Sequence, residues 1–390
     1  MPRGVEAATS RQTAAKAKAV APGPQPSTGL RPAPQPTEPL PFSLADIRAA
    51  IPKHCFERSV LTSFRYLAQD LAMVAGLVYA ASWISAAPAW VAWVAWPMYW
   101  FAAGTVGTGL WVLAHECGHG AFTDSKDIND AVGMVLHSAL LVPYHSWRIS
   151  HSNHHANTCS CENDEVFVPA SKPAAELNTS SDVESPLLTL AFVLNMLLLG
   201  WPGYLIANLS GPAKYANKRN SHFDPQAALF TAKQAGSVVA SDLGFIAALV
   251  LLGVAVSQWG FMTVAAYYGV PYLVVNAYLV LITFLQHTDT YIPHYRESEF
   301  TWLRGALATV DRSMGPVIDT LIHHIGDTHV CHHVFHYLPF YHAQEATKAI
   351  KQAIGPYYLK DDTPTFVALW RAWRDCKHLP AEADIAFYQR

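Results

Sequence analysis

From Leu71 to Ala114 the chain runs for 44 residues without one Asp, Glu, Lys or Arg, and from Leu243 to Gln286 it does so for 44 more. At about 1.5 Å rise per residue, each run makes roughly 66 Å of helix, about twice a ~30 Å hydrocarbon core. Each is therefore read as a helical hairpin that enters a membrane and returns. Turn signals stand near both midpoints, "SAAPAW" at 85–90 and "SQWGF" at 257–261. Buried helices of a soluble protein do not reach this length. Trp83, Trp90, Trp93, Trp96 and Trp100 suit anchoring at a membrane–water interface. The expected fold is an all-α integral membrane protein. It has four transmembrane helices as two hairpins (about 71–114 and 243–286), interfacial helices and a cytosolic helical cap.

Two hairpins bring the chain back to the side it left. All 26 Lys and Arg residues then fall in the parts that share one face, which the positive-inside bias makes cytosolic. The apolar stretch 186–211 tests this scheme, because a single crossing there would separate the second and third histidine clusters. Its "GWPG" at 200–203 is read as a helix break, making the stretch interfacial or re-entrant. The run at 131–144 is too short to span and is placed along the interface. Residues 1–41 are rich in Pro and Ala, lack apolar periodicity and a signal-peptide core, and are expected to be a disordered tail before a membrane domain at 42–390. Only 14% of the chain is charged, against about a quarter in soluble domains. A net charge of −3 gives no basic footprint for nucleic acid. The six cysteines follow no paired secretory spacing and are read as reduced thiols, with Cys159 and Cys161 as bystanders.

The nineteen histidines matter through their clustering. "HECGH" supplies His115 and His119 at i and i+4, on one helix face. "HSNHH" supplies His151, His154 and His155, and "HVCHH" supplies His329, His332 and His333, both at i, i+3 and i+4. Eight imidazoles are too many for one tetrahedral ion and suit two metals of higher coordination number. Ligand type alone leaves Fe, Zn, Cu and Ni open. His115 falls at the mouth of the first hairpin, and His287, a further candidate ligand, at the mouth of the second. Packing roles are expected for His54, His137, His145, His222, His294, His336, His342 and His378. His323 and His324 miss the ligand spacing, and Glu116 and Cys117 are expected to point away from the ligand face.

These three clusters resemble the histidine boxes of membrane-bound fatty acyl desaturases. "FSLADIRAAIPKHCFERS" (42–59), "VLHSALLVPYHSWRISH" (135–151), "SCENDEVFVP" (160–169), "LVLITFLQHTDTYIPHYR" (279–296) and "RGALATVDRSMG" (304–315) look like the delta-12, oleate-type acyl-lipid branch of the microsomal membrane. The resemblance covers 42–390 and implies a non-haem di-iron centre. Its ligands would be His115, His119, His151, His154, His155, His329, His332 and His333, with His287 where related enzymes carry a ligand outside the boxes. Cys159 departs from the family pattern, where a small residue such as Gly stands. The implied reaction is O2-dependent insertion of a cis double bond at delta-12 of oleoyl chains on a phospholipid, such as oleoyl-phosphatidylcholine, to give linoleoyl. Electrons would come from NADH through cytochrome b5 and its reductase. The chain shows no "HPGG" haem signature, so a separate cytochrome b5 is expected, with Lys126, Lys214, Lys218 and Arg219 as candidate docking residues.

Alternatives within the family are an omega-3 (delta-15) or bifunctional delta-12/omega-3 enzyme, since "DTHVCHH" (327–333) also resembles that branch. A histidine-rich metal transporter would place ionisable ligands mid-span, where both runs here carry none. The expected location is the endoplasmic reticulum membrane with boxes and termini cytosolic, the alternative a plastid membrane.

Overall fold

The computed structural model describes residues 39–177 and 185–390, so nearly all of the tail expected over 1–41 lies outside the described residues. Helix α1 (Leu44–Ala50) starts where its sequence says it should. Ser43 and Asp46 form a reciprocal capping box, each side chain accepting from the other's backbone N–H. Helices α2 (Val60–Ser82) and α3 (Ala89–His119) form the first hairpin, with its tip in the expected turn. α2 begins well before the charge-free run, taking in Arg65 and the buried Asp70. α3 runs on through the first histidine cluster, so the "mouth" histidines ride on the hairpin helix itself.

Helix α4 (Lys126–Ala139) is short and one-sided, too short to span as expected, and is followed by α5 (Tyr144–Asn157), which carries the second cluster. Strand β1 (Ala170–Lys172) precedes α6 (Pro186–Ala207). The second hairpin is α7 (Ala235–Trp259), a turn at Gly260 with φ of 81°, then α8 (Phe261–Val264), a π-turn at Ala265–Gly269 and α9 (Val270–Leu285). A π-turn widens the backbone and leaves carbonyls without regular partners. Here α3 supplies them: Tyr99 Oη donates to Tyr267 O at 2.8 Å and Trp100 Nε1 donates to Ala266 O at 2.9 Å.

The remainder is a cap: β2 (His294–Tyr295), α10 (Trp302–Leu307), β3 (Val310–Asp311), α11 (Pro316–Leu321), α12 (His329–Val334), α13 (Phe340–Ile354), β4 (Leu359–Lys360), α14 (Thr365–Asp375), β5 (His378–Pro380) and β6 (Ile385–Ala386). The strands were not expected. They pair as β1–β5 parallel, β2–β6 antiparallel and β3–β4 parallel, each two or three residues long. Each pair clips a distant segment onto the cap, a contact that no local periodicity encodes.

Four helices are long and apolar enough to cross a membrane by length and composition: Val60–Ala86, Pro186–Ala207, Ala232–Trp259 and Phe261–Leu285. Leucine, valine, phenylalanine and tryptophan side chains stand exposed along α2, α3, α6 and α7. Such a surface suits lipid and is costly in water. Trp83, Trp90 and Trp259, all exposed, sit at the hairpin tips, where interfacial anchors belong.

The break expected at "GWPG" does not occur, because α6 continues helical through Pro202 to Asn208 in the left-handed region. A proline inside a helix costs about 3 kcal/mol, chiefly one backbone bond and a clash one turn back. Here it falls near the C-terminal end, and the neighbouring Trp201 is buried against Trp111, with ring centroids 5.8 Å apart. Contacts along its length tie α6 to the cap and to the second cluster. Phe192 stacks on Trp373 of α14 at 6.4 Å, and Tyr204 contacts His222 and Ser150 near the second cluster. α6 is thus an unbroken helix and one of the four long and apolar enough to cross a membrane, so the break on which the interfacial or re-entrant expectation rested is absent.

Candidate metal centre

Four separate stretches of chain deliver imidazoles to one place. His115 and His119 come from the end of α3, His151, His154 and His155 from α5, His287 from just beyond α9, and His329, His332 and His333 from α12. They sort into two groups. In the first, ligand nitrogens of His115, His119, His151, His155 and His332 all lie within 4.8 Å of one another. In the second, those of His154, His287 and His333 do so, and His329 Nε2 joins them, 3.3 Å from His287 Nε2 and 3.2 Å from His333 Nε2. The groups adjoin, since the His155 and His333 rings stack at 4.2 Å.

The H-x-x-H-H spacing explains the division. On α5 the i and i+4 rings, His151 and His155, enter the first group while His154 turns to the second. On α12 the assignment is reversed: His329 and His333 share the second group and His332 enters the first. Each of these two boxes therefore spans both groups, whereas His115 and His119 of the first cluster both serve the first group.

The donor chemistry fits cations. His155 Nε2 lies 3.1 Å from both His151 Nε2 and His332 Nε2. A ring nitrogen carries either a proton or a lone pair, so hydrogen bonding can satisfy only one of these two contacts. Three lone pairs aimed at one cation satisfy all of them, because nitrogens bound at about 2.1 Å and at right angles stand about 3 Å apart. His119 Nε2 is buried with no hydrogen-bond partner, as a ligand nitrogen should be. Burial, reinforced by neighbouring imidazoles, holds His151, His155, His287, His332 and His333 well below the usual histidine range. Neutral rings are the form that binds metal.

Behind the rings stand groups that fix which nitrogen faces inward. His154 Nδ1 donates to Asp164 Oδ1 at 2.6 Å, and that carboxylate also accepts from the backbone N–H groups of Cys159 and Glu165, both at 2.7 Å. His329 Nδ1 donates to Ile325 O at 3.0 Å, and His333 Nδ1 meets Thr158 Oγ1 at 3.2 Å. Each of these leaves Nε2 for the centre. The N-terminal turn of α12 is held by Asp311, which accepts from Val330 N at 2.7 Å. Arg312 bridges Asp289 (2.8 Å) and Asp361 and donates to Leu285 O at 2.9 Å, while Arg371 binds the same two carboxylates. This buried network ties the end of α9, and so His287, to the cap.

Sequence reasoning gave none of these supporting residues a role, although "SCENDEVFVP" and "RGALATVDRSMG" contain Asp164, Asp311 and Arg312. It also expected Glu116 to point away, whereas Glu116 Oε1 lies 3.4 Å from His115 Nδ1. His336, expected to pack, does so against the centre, its ring 5.1 Å from His119 and 5.5 Å from His155. His323 bonds Asp70 Oδ2 at 2.7 Å, outside both groups. Cys159 is buried with its thiol near Ala308 O and belongs to neither group.

Beside the histidines lies an apolar cavity of about 580 Å³. Trp111 and Trp147, Phe167, Trp201 and Val280 form much of its wall, and His151 and His154 line it as well. Gly104, Gly107 and Gly109 of α3 do not line it and serve helix packing. A Cβ on Gly104 would stand 2.4 Å from Val274 Cβ, one on Gly107 3.1 Å from Val275 Cγ2, and one on Gly109 2.4 Å from Leu321 O.

Apolar helical hairpins, two adjoining histidine groups that could hold metal and an apolar cavity beside them define a membrane-type protein with a candidate metal centre. Comparison with known proteins agrees. The model described as "Fatty acid desaturase" matches residues 92–365, and the chain belongs to the fatty acid desaturase family. A second model, for a domain of unknown function, matches residues 11–80. Among curated relatives, the Delta(12) fatty acid desaturase of Mortierella alpina is 44% identical over 365 residues, covering 90% of this chain and 91% of the relative. The Delta(12)-acyl-lipid-desaturase of Punica granatum is 47% identical over 341 residues, 87% of each chain. The Delta(12)-fatty-acid desaturase of Arabidopsis thaliana is 44% identical over 350 residues, 90% of each.

Proposed function

We propose that this protein is an oxygen-dependent acyl-lipid desaturase that places a cis double bond at delta-12 of oleoyl chains on a membrane phospholipid, giving linoleoyl. The observation that carries the reading is the apolar cavity lined in part by His151 and His154, one from each histidine group. The names of the relatives direct it to delta-12. The first group, His115, His119, His151, His155 and His332, would hold one iron. The second, His154, His287, His329 and His333, would hold the other. Two irons, when bound, supply the reduction of O2 and the oxidising power that an unactivated methylene pair demands. The balance is R–CH2–CH2–R′ + O2 + 2 e⁻ + 2 H⁺ → R–CH=CH–R′ + 2 H2O. Cytochrome b5, reduced from NADH by its reductase, delivers the electrons singly, and the endoplasmic reticulum membrane is where this partner and the lipid meet.

The chain's own residues do the positioning. Every methylene of an acyl chain is chemically alike, so only its depth in the cavity can select a carbon. Trp111, Trp147 and Trp201 form rigid walls that exclude water and fix the chain beside His151. Asp164, Thr158 and the Ile325 carbonyl keep three ligand rings in one tautomer. All four candidate docking cations are exposed: Lys126 pairs with Asp130, Lys214 folds back on Asn163 O and Glu165, both at 3.2 Å, Arg219 binds Asp224, and Lys218 has no ion pair among the described residues. Expression in a yeast that makes oleate but no linoleate tests the proposal. Appearance of 18:2 with double bonds at 9 and 12 supports it. Conversion of supplied linoleate alone, to an omega-3 product, overturns the delta-12 assignment.

A further inference from the structure

Away from the histidine centre, the 3₁₀ turn Lys53–Phe56 meets the first turns of α13. His54, Cys55, His342 and Glu345 each offer a ligand atom there, all within 4.8 Å of one another. His54 Nε2 stands 3.0 Å from Glu345 Oε2 and 3.7 Å from Cys55 Sγ. His342 packs edge-on against His54, ring centroids 5.5 Å apart. Ligands at about 2.0–2.3 Å and tetrahedral angles stand about 3.3–3.8 Å apart, so small adjustments of two half-exposed side chains close the set.

We infer that His54, Cys55, His342 and Glu345 form a second, structural metal site that takes zinc. The inference is independent of the desaturase reading, because none of the four belongs to either histidine group. One thiolate, one carboxylate and two neutral imidazoles carry two negative charges, which neutralise a divalent cation. A set of one sulfur, two nitrogens and one carboxylate oxygen favours a borderline-soft ion over magnesium or calcium, and four protein ligands close the coordination sphere as structural zinc sites do. The site has a mechanical purpose. Cys55 is fully buried in an apolar cluster with Ile47 and Ile51 before it, Val330, Cys331 and Val334 of α12, and Ala343 and Ala346 of α13. A cation here pins the N-terminal segment to the helix that backs the third histidine box.

The test uses full-length, iron-loaded enzyme in detergent, equilibrated with zinc, dialysed and measured for both metals. The expected result is about one zinc per chain beyond the iron, lost in Cys55→Ser and in His342→Ala with iron retained. Cobalt(II) added in place of zinc to the iron-loaded enzyme should give a thiolate-to-cobalt charge-transfer band that Cys55→Ser abolishes. A centre made only of imidazoles has no thiolate and cannot produce that band. Zinc or the cobalt band persisting unchanged in Cys55→Ser overturns the inference, as does wild-type protein that retains no zinc. Should the buried Cys55 variant fail to fold, His342→Ala and the half-exposed Glu345→Gln decide the matter by the same two readouts.

Discussion

Asp164→Asn isolates the role of a group that touches one ligand ring. The carboxylate is buried and accepts three bonds, from His154 Nδ1 at 2.6 Å and from the Cys159 and Glu165 N–H groups at 2.7 Å. An amide of the same shape has one acceptor oxygen. If it faces His154 and Glu165, the new NH2 confronts the Cys159 N–H; if it flips, two donors lose their acceptor. Either way at least one buried N–H is orphaned, at about 1–3 kcal/mol, and the surviving bonds lose charge assistance. The expected loss of stability is about 2–4 kcal/mol. The functional loss is separate: without the carboxylate's charge, the His154 tautomer is held by a neutral acceptor in one amide orientation and by none in the other. Partners of this kind are worth about 10–100-fold in metal affinity or turnover, or about 1.4–2.7 kcal/mol. Iron content and linoleate yield in the yeast assay, normalised to protein abundance, measure it. Glu162→Gln, a neighbouring half-exposed carboxylate paired with Arg296, is the control and should leave product unchanged. Full iron and full product in Asp164→Asn would refute the reasoning.

His332→Ala should abolish product while leaving abundance largely intact, since it removes one of five nitrogens from the first group; retained desaturation would take α12 out of that centre. Gly104→Ala should destabilise by about 1–3 kcal/mol through overpacking, because its Cβ would meet Val274 Cβ at 2.4 Å and Pro271 O at 2.9 Å; unchanged thermal inactivation would contradict this. Arg312→Met leaves Asp289 and Asp361 short of a buried partner and should cost about 3–5 kcal/mol, read as loss of folded protein in detergent. Acidification supplies a further check. Burial lowers His222 and His294, which lie outside both histidine groups, from 6.5 to about 4. The unfolded chain binds these protons first, so their stabilising contribution is complete above about 6.5 and is lost as pH falls toward 4. Melting temperature should drop between pH 7 and pH 5, and a rise over that interval would reverse the assigned sign.

The hairpins were legible because absence of charge over 44 residues is a bulk property, set by what a lipid tolerates rather than by any neighbour. The boxes were legible because i, i+3 and i+4 spacings are local to one helix turn. What the spacings did not carry was which ring goes to which group, a matter of how α5 and α12 face each other. Asp164, Asp311 and Arg312 were equally hidden, because their partners lie outside their own segment or depend on a loop's path. The proline of "GWPG" misled for a related reason. Its local cost is real, but Trp201 beside it is held by Trp111, ninety residues away in sequence. The short strand pairs, which join Ala170 to His378 and Val310 to Leu359, have no local signature at all.

The crossed allotment of rings on α5 and α12 has a bearing on how the centre fills. Either helix must settle for both halves together, because turning one ring toward its ion swings its neighbours on the same backbone turn. An ion entering the five-nitrogen half therefore organises the other half before that half is occupied. Loading should be all-or-none, with half-filled enzyme scarce at every iron concentration, and chelation should empty both places at once.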